Sequence, residues 1–467
     1  MIKFILKNLN YIVLSPIFLN FFLNIKSAKS NLIQINLYDI ASSFLLFLFL
    51  YFIGSIFKSL KNNLTITFGI ITYLISFYLV ELIILFFYKE ISLHSTFIIV
   101  NTLWLMYFLI SKIDIIQLFK LISSFLMLRI FTLLFFDKLT KNSNIIGDVK
   151  DVFLPNTVSI YEKSLFYSLT NPVELGYPQF MSYLDAILYR ILVASNNYHF
   201  VLPTTLVFLF LFSLMIFETK LKKTNRILGI FLLFSLFINS KWLQFLFITS
   251  LMSERVASFI FLGLLICLFE FNSDNNKNLN LIYFVFSFVF VTKQFFSILI
   301  IFIFFITLIS NKYRKYSYLL LSSFFIRQII HSSYLSEVPT EHHIRQIDLI
   351  DTIFDLLFIR DLQFKNVFTI LQNLFIDKPS TYIILLFFFL NILQLLLMKQ
   401  NVELENLIYF VLSTLNFLFI ILLYISVWKN MELESPIRYI YSFIPVYIFS
   451  VVKILDNFQL KYLKKIQ

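Results

Sequence analysis

The chain has 467 residues, of which 59% are hydrophobic and only 14% are charged, and its mean hydropathy is +0.86. Because soluble domains are about a quarter charged, this composition excludes a soluble globular protein and indicates an all-α, polytopic membrane protein. The net charge of +12 comes from short Lys and Arg clusters between apolar runs, where membrane orientation accounts for them, so nucleic acid is not expected as a partner.

Apolar runs of about 20 residues, the length of one bilayer crossing, begin near the amino terminus. The first five lie near 5–25, 37–57, 64–88, 95–112 and 115–136. No small-residue cleavage site follows the first run, so we expect a retained helix instead of a signal peptide. Lys58 and Lys61 mark a cytoplasmic turn, and alternation from there places the amino terminus inside and the loop after Phe136 outside.

The first long polar interruption lies within this outer loop, 137–199, and runs over 147–178. It concentrates acids, aromatics and prolines beside the membrane. Asp148 and Asp151 precede a Phe-Leu-Pro turn, and Tyr177 stands in the Tyr-Pro pair that closes the stretch. We expect chemistry here, although polar outer loops are common without any catalytic role.

The run 180–196, which follows, contains Asp185 and Arg190 and is too polar for a lipid-facing span. We expect it to form an amphipathic helix lying on the outer membrane surface. With this helix outside, the run 200–217 crosses inward and places the basic turn 218–226 in the cytoplasm, as the positive-inside rule favours.

The remaining spans leave a second long loop, 334–380, outside and place Lys453 and the basic tail in the cytoplasm. These spans are predicted near 227–245, 254–271, 279–293, 294–310, 316–333, 381–398, 405–427 and 437–453. The total is roughly thirteen or fourteen transmembrane helices. Arg129, inside the run 115–136, is a functional hint because a charge within a span is costly, and helix packing is the alternative explanation.

Five short fragments carry a resemblance to the GT-C superfamily of polytopic glycosyltransferases, in its mannosyltransferase-like, family 39-like branch. In chain order they are 148–155 (DVKDVFLP), 176–180 (GYPQF), 253–257 (SERVA), 291–294 (VTKQ) and 436–445 (PIRYIYSFIP). The resemblance covers about 140–455. It implies a GT-C-like catalytic domain over 115–467, preceded by additional transmembrane helices in 1–114.

The same resemblance implies transfer of a sugar from a polyprenyl-phosphate donor on the extracytoplasmic face. It also implies substrate-binding roles for Tyr177, Glu254, Lys293, Arg438 and Tyr439. Three departures from the family pattern matter, and the first is that four helices precede the one that matches the family's first. Gln179 replaces the second proline of the Tyr-Pro-Pro element, and the usual Asp-Glu pair is absent, which leaves Asp148 or Asp151 as the candidate acid.

The reaction that the resemblance implies can be compared with the chemistry of these residues. An inverting transfer needs a carboxylate to accept the proton of the acceptor hydroxyl, for which Asp148 is our first choice and Asp151 the second. A solvated loop aspartate is the simple alternative. Lys293 and Arg438, at predicted outer helix ends, can stabilise the leaving phosphate, or they can merely snorkel to the interface.

No cofactor is expected; a divalent metal is the less favoured alternative, with Glu341, His342, His343 and the acids Asp348, Asp351 and Asp355 as its candidate ligands. Adjacent residues such as His342 and His343 are poorly placed to bind one ion together, and the sequence has no phosphate-binding glycine loop. The Phe-, Asn- and Lys-rich composition is typical of an AT-rich bacterial genome.

We therefore predict a glycosyltransferase of the bacterial inner membrane, whose active site faces outward. It would use a polyprenyl-phosphate sugar and a lipid-linked or cell-surface glycan acceptor. The alternatives are a flippase or transporter of lipid-linked oligosaccharide, and an O-antigen-type polymerase or ligase. A transporter is expected to show paired half-repeats and charged or broken helices near the midplane. We detect no repeat.

Overall fold

The computed structural model describes most of the chain as helices joined by short connections. The described residues are 35–61, 64–88, 91–139, 153–171, 179–192, 200–240, 243, 253–268, 278–288, 294–309, 314–322, 325, 365–375, 377–398, 404–426 and 439–466. Within these ranges there is no β-strand, so the all-α prediction is confirmed for the part of the chain that the structure describes.

The helices are, in chain order, α1 (Leu37–Leu60), α2 (Ile66–Phe87), α3 (Leu93–Ile110), α4 (Ile115–Phe135), α5 (Leu154–Glu162), α6 (Leu165–Thr170), α7 (Gln179–Ile191), α8 (Val201–Glu218), α9 (Lys223–Asn239), α10 (Ser253–Ile266), α11 (Leu279–Ser287), α12 (Gln294–Ile309), α13 (Arg314–Ser317), α14 (Lys365–Leu374), α15 (Lys378–Met398), α16 (Leu404–Ser426) and α17 (Ile444–Ile466). They belong to two compact units. The larger unit contains α1–α7, α8 up to Met215, and α10–α13; the smaller unit contains α9 and α14–α17.

Six of the described helices are long and apolar enough to cross a membrane. They are α1, α2, α3, α4 with its following turn (Ile115–Lys138), α8, and Lys378–Leu396 of α15. Each coincides with a predicted span, which supports a polytopic membrane protein. The predicted total of thirteen or fourteen helices includes the run 5–25, which lies outside the described residues.

Local sequence explains where the first four helices begin. Each starts after a polar residue whose side chain accepts a hydrogen bond from a backbone N–H of the first turn, namely Asn36, Thr65, Ser92 and Asp114. Such caps satisfy donors that the helix itself leaves unpaired. The apolar runs and their caps therefore define the same boundaries.

Helices α1 and α2 cross closely at two glycines. A Cβ atom added to Gly54 would lie 2.4 Å from the Ile66 carbonyl oxygen, and one added to Gly69 would lie 2.9 Å from the Gly54 Cα. Small residues allow this approach of two backbones, as is common between membrane helices.

Helix α7 differs most from its prediction. It is helical, as expected, but every residue except Arg190 is buried, so the predicted position on the outer membrane surface is wrong. The helix packs against α2, α3, α5, α6 and α10. Its polar face is buried because it meets polar groups of neighbouring helices, so its amphipathic pattern reflects partners inside the protein and not a lipid–water interface.

Three predicted spans also differ in extent. Helix α11 ends at Ser287, and its 9 residues rise only about 14 Å, half of a bilayer core. Helix α13 continues as a 3₁₀ segment, Tyr318–Leu321, where an uninterrupted span 316–333 was predicted. Helix α17 begins at Ile444 after a turn. Pro445 lacks the backbone N–H that a helix continuing through this position would need, and proline is well tolerated in the first turn of a helix.

Contacts within each unit agree with the predicted alternation of helix ends. In the larger unit the Asn36 side chain donates to the Lys138 carbonyl oxygen at 2.8 Å, which joins the start of α1 to the end of α4. In the smaller unit Asp456, on the extension of α17 beyond the predicted span, accepts hydrogen bonds from the Asn225 side chain and from the Lys222 N–H. In each pair, the two helix ends are ones that alternation places on the same side of the membrane. Which pair is on the outer side and which is on the cytoplasmic side stays a prediction from charge.

Candidate functional site

Most of the predicted site residues lie outside the described ranges. These are Asp148, Asp151, Tyr177, Lys293 and Arg438. Glu254 lies in the first turn of α10, and Tyr439 is half-buried in a short helical turn that precedes α17. The roles of these seven residues therefore stay predictions.

The chain that follows the two aspartates begins at a firmly held point. Phe153 is buried, and its carbonyl oxygen accepts hydrogen bonds from Thr157 Oγ1 at 2.7 Å and from Ser182 Oγ at 3.3 Å. The second bond connects the start of α5 to α7. Because Asp151 is two residues from Phe153, covalent geometry keeps their Cα atoms within about 7 Å.

The centre of α7 holds a buried ion pair that the sequence did not reveal. Arg255 Nη2 of α10 donates to Asp185 Oδ1, and both side chains are almost completely enclosed, with 0% and 2% exposed. The Phe208 ring lies 5.2 Å from the Arg255 guanidinium carbon. Burial raises the pKa of Asp185 to about 6, while the Arg255 charge opposes that rise.

Glu81 is a second buried acid, on α2 and within a candidate span. Its carboxylate accepts hydrogen bonds from Tyr183 Oη at 2.6 Å and from the Leu165 N–H at 3.3 Å, and Thr96 also bonds to it. Tyr183 lies two residues before Asp185, which places the two side chains on roughly opposite sides of α7. Since a charged group within a membrane requires partners, these bonds explain why an acid is tolerated here. Glu81 therefore connects α2 to α6 and α7.

The start of α7 depends on the residue by which the chain departs from the family pattern. Gln179 is the first residue of the helix, and its side-chain oxygen accepts a hydrogen bond from Ser168 Oγ of α6 at 2.8 Å. A proline at this position has no such acceptor side chain. The replacement thus supplies a contact that holds α6 and α7 together.

We call Phe153, Glu81, Gln179, Asp185 and Arg255, with their hydrogen-bond partners, the polar platform. It combines residues of α2, α5, α6, α7 and α10 of the larger unit. Its charged groups are paired or hydrogen-bonded, so it holds these helices together. Sequence reasoning missed it because periodicity shows that α7 has a polar face and cannot show which distant side chains meet it.

The smaller unit contains a polar cluster of its own. Ser240 Oγ, just after α9, donates to Asp377 Oδ2 at 2.5 Å, and Ser380 Oγ lies 3.2 Å from Ser240 Oγ. Burial raises the pKa of Asp377, and the hydrogen bonds of Ser240 and Ser380 act in the opposite direction. Alternation predicts that these residues lie at outer helix ends.

Within the described ranges, no group of three or more His, Cys, Asp or Glu side chains is placed to hold a metal ion. No protein-family model, curated protein or solved structure matches the chain. The resemblance to the GT-C superfamily therefore rests on the five sequence fragments, and the candidate site has to be interpreted from its own chemistry.

Proposed function

We propose that this protein is a membrane glycosyltransferase that moves a sugar from a polyprenyl-phosphate donor to a lipid-linked or cell-surface glycan acceptor. The reaction would take place on the outer face of a bacterial inner membrane. The observation that carries the proposal is the attachment of the Asp148–Asp151 loop, through Phe153, to a buried polar platform beside membrane-spanning helices.

The platform suits a reaction at a membrane surface. General-base catalysis needs a carboxylate held within hydrogen-bond reach of the acceptor hydroxyl, and small displacements are costly. Phe153 is buried and bonded to Ser182 of α7, so the loop leaves from a point that the larger unit holds in place. Asp151 is tied closely to that point and Asp148 has a longer reach, so either acid can serve as the base.

The buried charges of the platform favour catalysis over transport. A transporter uses ionisable groups along a path that opens to each side in turn. Glu81 and Asp185 are instead engaged by Tyr183 and Arg255, which fix helices to one another. Rigid support of this kind favours a site that positions two substrates.

The test is transfer by the purified protein in lipid nanodiscs, with a panel of polyprenyl-phosphate sugars and lipid-linked acceptors. Asp148→Asn removes the proton acceptor and preserves size. Turnover is expected to fall about 10²–10⁴-fold when the acid that serves as the base is replaced in this way. Asp151→Asn decides which acid is the base. Glu162→Gln is the matched control, because Glu162 is an exposed acid at the end of α5.

Unchanged transfer by the Asp148→Asn/Asp151→Asn double variant would remove this loop from catalysis. If no donor in the panel supports transfer by the parent protein, and fluorescent lipid-linked oligosaccharide instead crosses the bilayer of proteoliposomes, the transporter alternative becomes correct.

A further inference from the structure

A group of basic side chains lies at one end of α3 and α4, apart from the polar platform. It consists of Arg129 on α4, Arg190 on α7 and His94 on α3, and we call it the cationic cluster. Arg190 reaches between the other two: its Nη2 contacts His94 Nδ1, and it lies within electrostatic range of Arg129. Three helices therefore direct basic groups to one place.

The hydrogen bonds of Arg190 determine which groups of the cluster remain as donors. An arginine always donates, so His94 Nδ1 accepts and the proton of the neutral ring is on Nε2, where it can donate to a ligand. Arg190 Nη1 donates to Tyr161 Oη at 3.4 Å, and its Nε is buried without a hydrogen-bond partner among the described residues. The cluster thus offers donors and few acceptors.

Arg129 makes the cluster electrostatically unbalanced. It lies in the apolar helix α4, half-buried, with its guanidinium 4.8 Å from the centre of the Phe125 ring. Within the described ranges, no ion pair includes Arg129 or Arg190. Two positive charges near one another inside or beside a membrane repel and are costly to desolvate, and an anion between them removes both costs.

The shape of the surroundings indicates an anion that carries a hydrocarbon chain. Within the described ranges, only 22% of α3 and 17% of the most apolar 18-residue stretch of Ile115–Lys138 are buried, so neither helix has its long apolar face covered by another described element. His94 is the second residue of α3, whereas Arg129 is about 9 Å below the end of α4, so the cluster extends from the membrane surface into the bilayer. A soluble anion has no reason to enter to that depth.

We propose that the cationic cluster binds the phosphate of a polyprenyl-phosphate lipid, whose chain lies along the exposed faces of α3 and α4. Arginine matches phosphate because its planar fork donates two parallel hydrogen bonds. The proposal rests on the proposed function in naming this lipid as the sugar donor. It adds His94, from the additional helices that the family resemblance does not cover, and is independent of Lys293 and Arg438.

Binding of decaprenyl monophosphate to the full-length protein in phosphatidylcholine nanodiscs tests the site. Arg129→Gln and Arg190→Gln are each expected to weaken the dissociation constant about 10- to 100-fold, the worth of one charged hydrogen bond. Lys163→Gln is the control and is expected to bind as the parent does, since Lys163 is exposed and lies over the Tyr167 ring, 3.6 Å from its centre.

Competitors distinguish the sources of phosphate. Inorganic phosphate, decaprenol and phosphatidylglycerol are each expected to compete at least tenfold less well than decaprenyl monophosphate. Equal competition by inorganic phosphate would reduce the cluster to a site for a free anion, and equal competition by decaprenol would show that the chain alone is recognised. Equal competition by phosphatidylglycerol would make it a general anionic-lipid site, and each of these results overturns the proposal.

Folding and function can be separated from binding. If Arg190→Gln does not accumulate in the membrane, Arg190→Lys replaces it in the test, because lysine keeps the charge and lacks the planar fork. A dissociation constant of Arg190→Lys equal to that of the parent would then refute the site. Binding is measured without sugar transfer. Parent-like binding by both glutamine variants of an active transferase would overturn the cationic cluster alone, whereas cluster-dependent binding by an inactive protein would overturn only the proposed function.

Discussion

Removing Arg255 is expected to make the stability of the protein strongly dependent on pH. Arg255→Leu leaves the Asp185 carboxyl, which is 2% exposed, without its cation. Breaking a buried pair in this way typically costs about 3–5 kcal/mol of the free energy of unfolding. We expect a loss of that size at pH 8.

The pH dependence follows from the pKa of Asp185, which is about 6 even beside Arg255. The folded parent therefore holds a proton that the unfolded chain lacks between about pH 4 and 6, and its stability falls as the pH rises through that range. Without Arg255 the pKa of this carboxyl rises further. Above pH 6 only the folded variant retains the proton, and each pH unit over which it does so lowers its free energy of unfolding relative to that of the parent by about 1.4 kcal/mol. The stability lost on substitution should therefore be up to about 3 kcal/mol smaller at pH 6 than at pH 8.

The assay is the free energy of unfolding in mixed detergent micelles at both pH values. Asp185→Asn is expected to cost less than Arg255→Leu at pH 8, because it removes a charge that burial disfavours and keeps an oxygen for Arg255 to bond. Combining the two substitutions should recover part of the loss. Parent-like stability of Arg255→Leu at pH 8, or a loss that does not shrink at pH 6, would refute the buried pair.

Two further predictions concern the helices. Gly54→Ala should cost about 1–3 kcal/mol of stability, because the added Cβ would overlap the Ile66 carbonyl oxygen. Gly229→Ala should be neutral or stabilising, because the nearest neighbour of its Cβ would be a side-chain atom at 3.2 Å. Equal thermal stabilities of the two variants would contradict the close crossing of α1 and α2. In a Cys267→Ala background, a cysteine at exposed Lys138 should react with an impermeant thiol reagent added outside intact cells and one at exposed Thr224 should not; the reverse labelling pattern would invert the topology.

The sequence predicted the six spans that the structure supports and missed the polar contacts between helices, for a physical reason. The span lengths of α1 to α4 follow from apolar runs and from caps such as Asn36 and Ser92, which are local properties. The partner of Asp185 is Arg255, 70 residues away in the chain, and no periodicity encodes that distance. The fragment 253–257 drew attention to Glu254, and it did not indicate that the neighbouring Arg255 forms a buried ion pair.

The prediction that α7 lies on the membrane surface was wrong for a related reason. An amphipathic pattern reports that one face of a helix needs polar surroundings, and water, lipid headgroups or buried side chains satisfy that need equally. Glu81 and Arg255 supply those surroundings here. A buried acid in a neighbouring span was the available signal, since an ionisable residue such as Glu81 within an apolar run needs a partner.

Helix α7 connects the two halves of the proposed mechanism. Ser182, near its start, holds the carbonyl oxygen of Phe153, from which the Asp148–Asp151 loop departs, and Arg190, near its end, belongs to the cationic cluster. Eight residues separate them, which is about 12 Å along the helix axis. The chain that leads back to the proposed base therefore leaves from the Ser182 end of α7, and the proposed phosphate site is at the Arg190 end. Since the pair of Asp185 with Arg255 holds the middle of this helix, substitutions that loosen the pair should reduce sugar transfer more than they weaken the binding of decaprenyl monophosphate. Binding needs the cationic cluster alone, whereas transfer needs the spacing that α7 maintains.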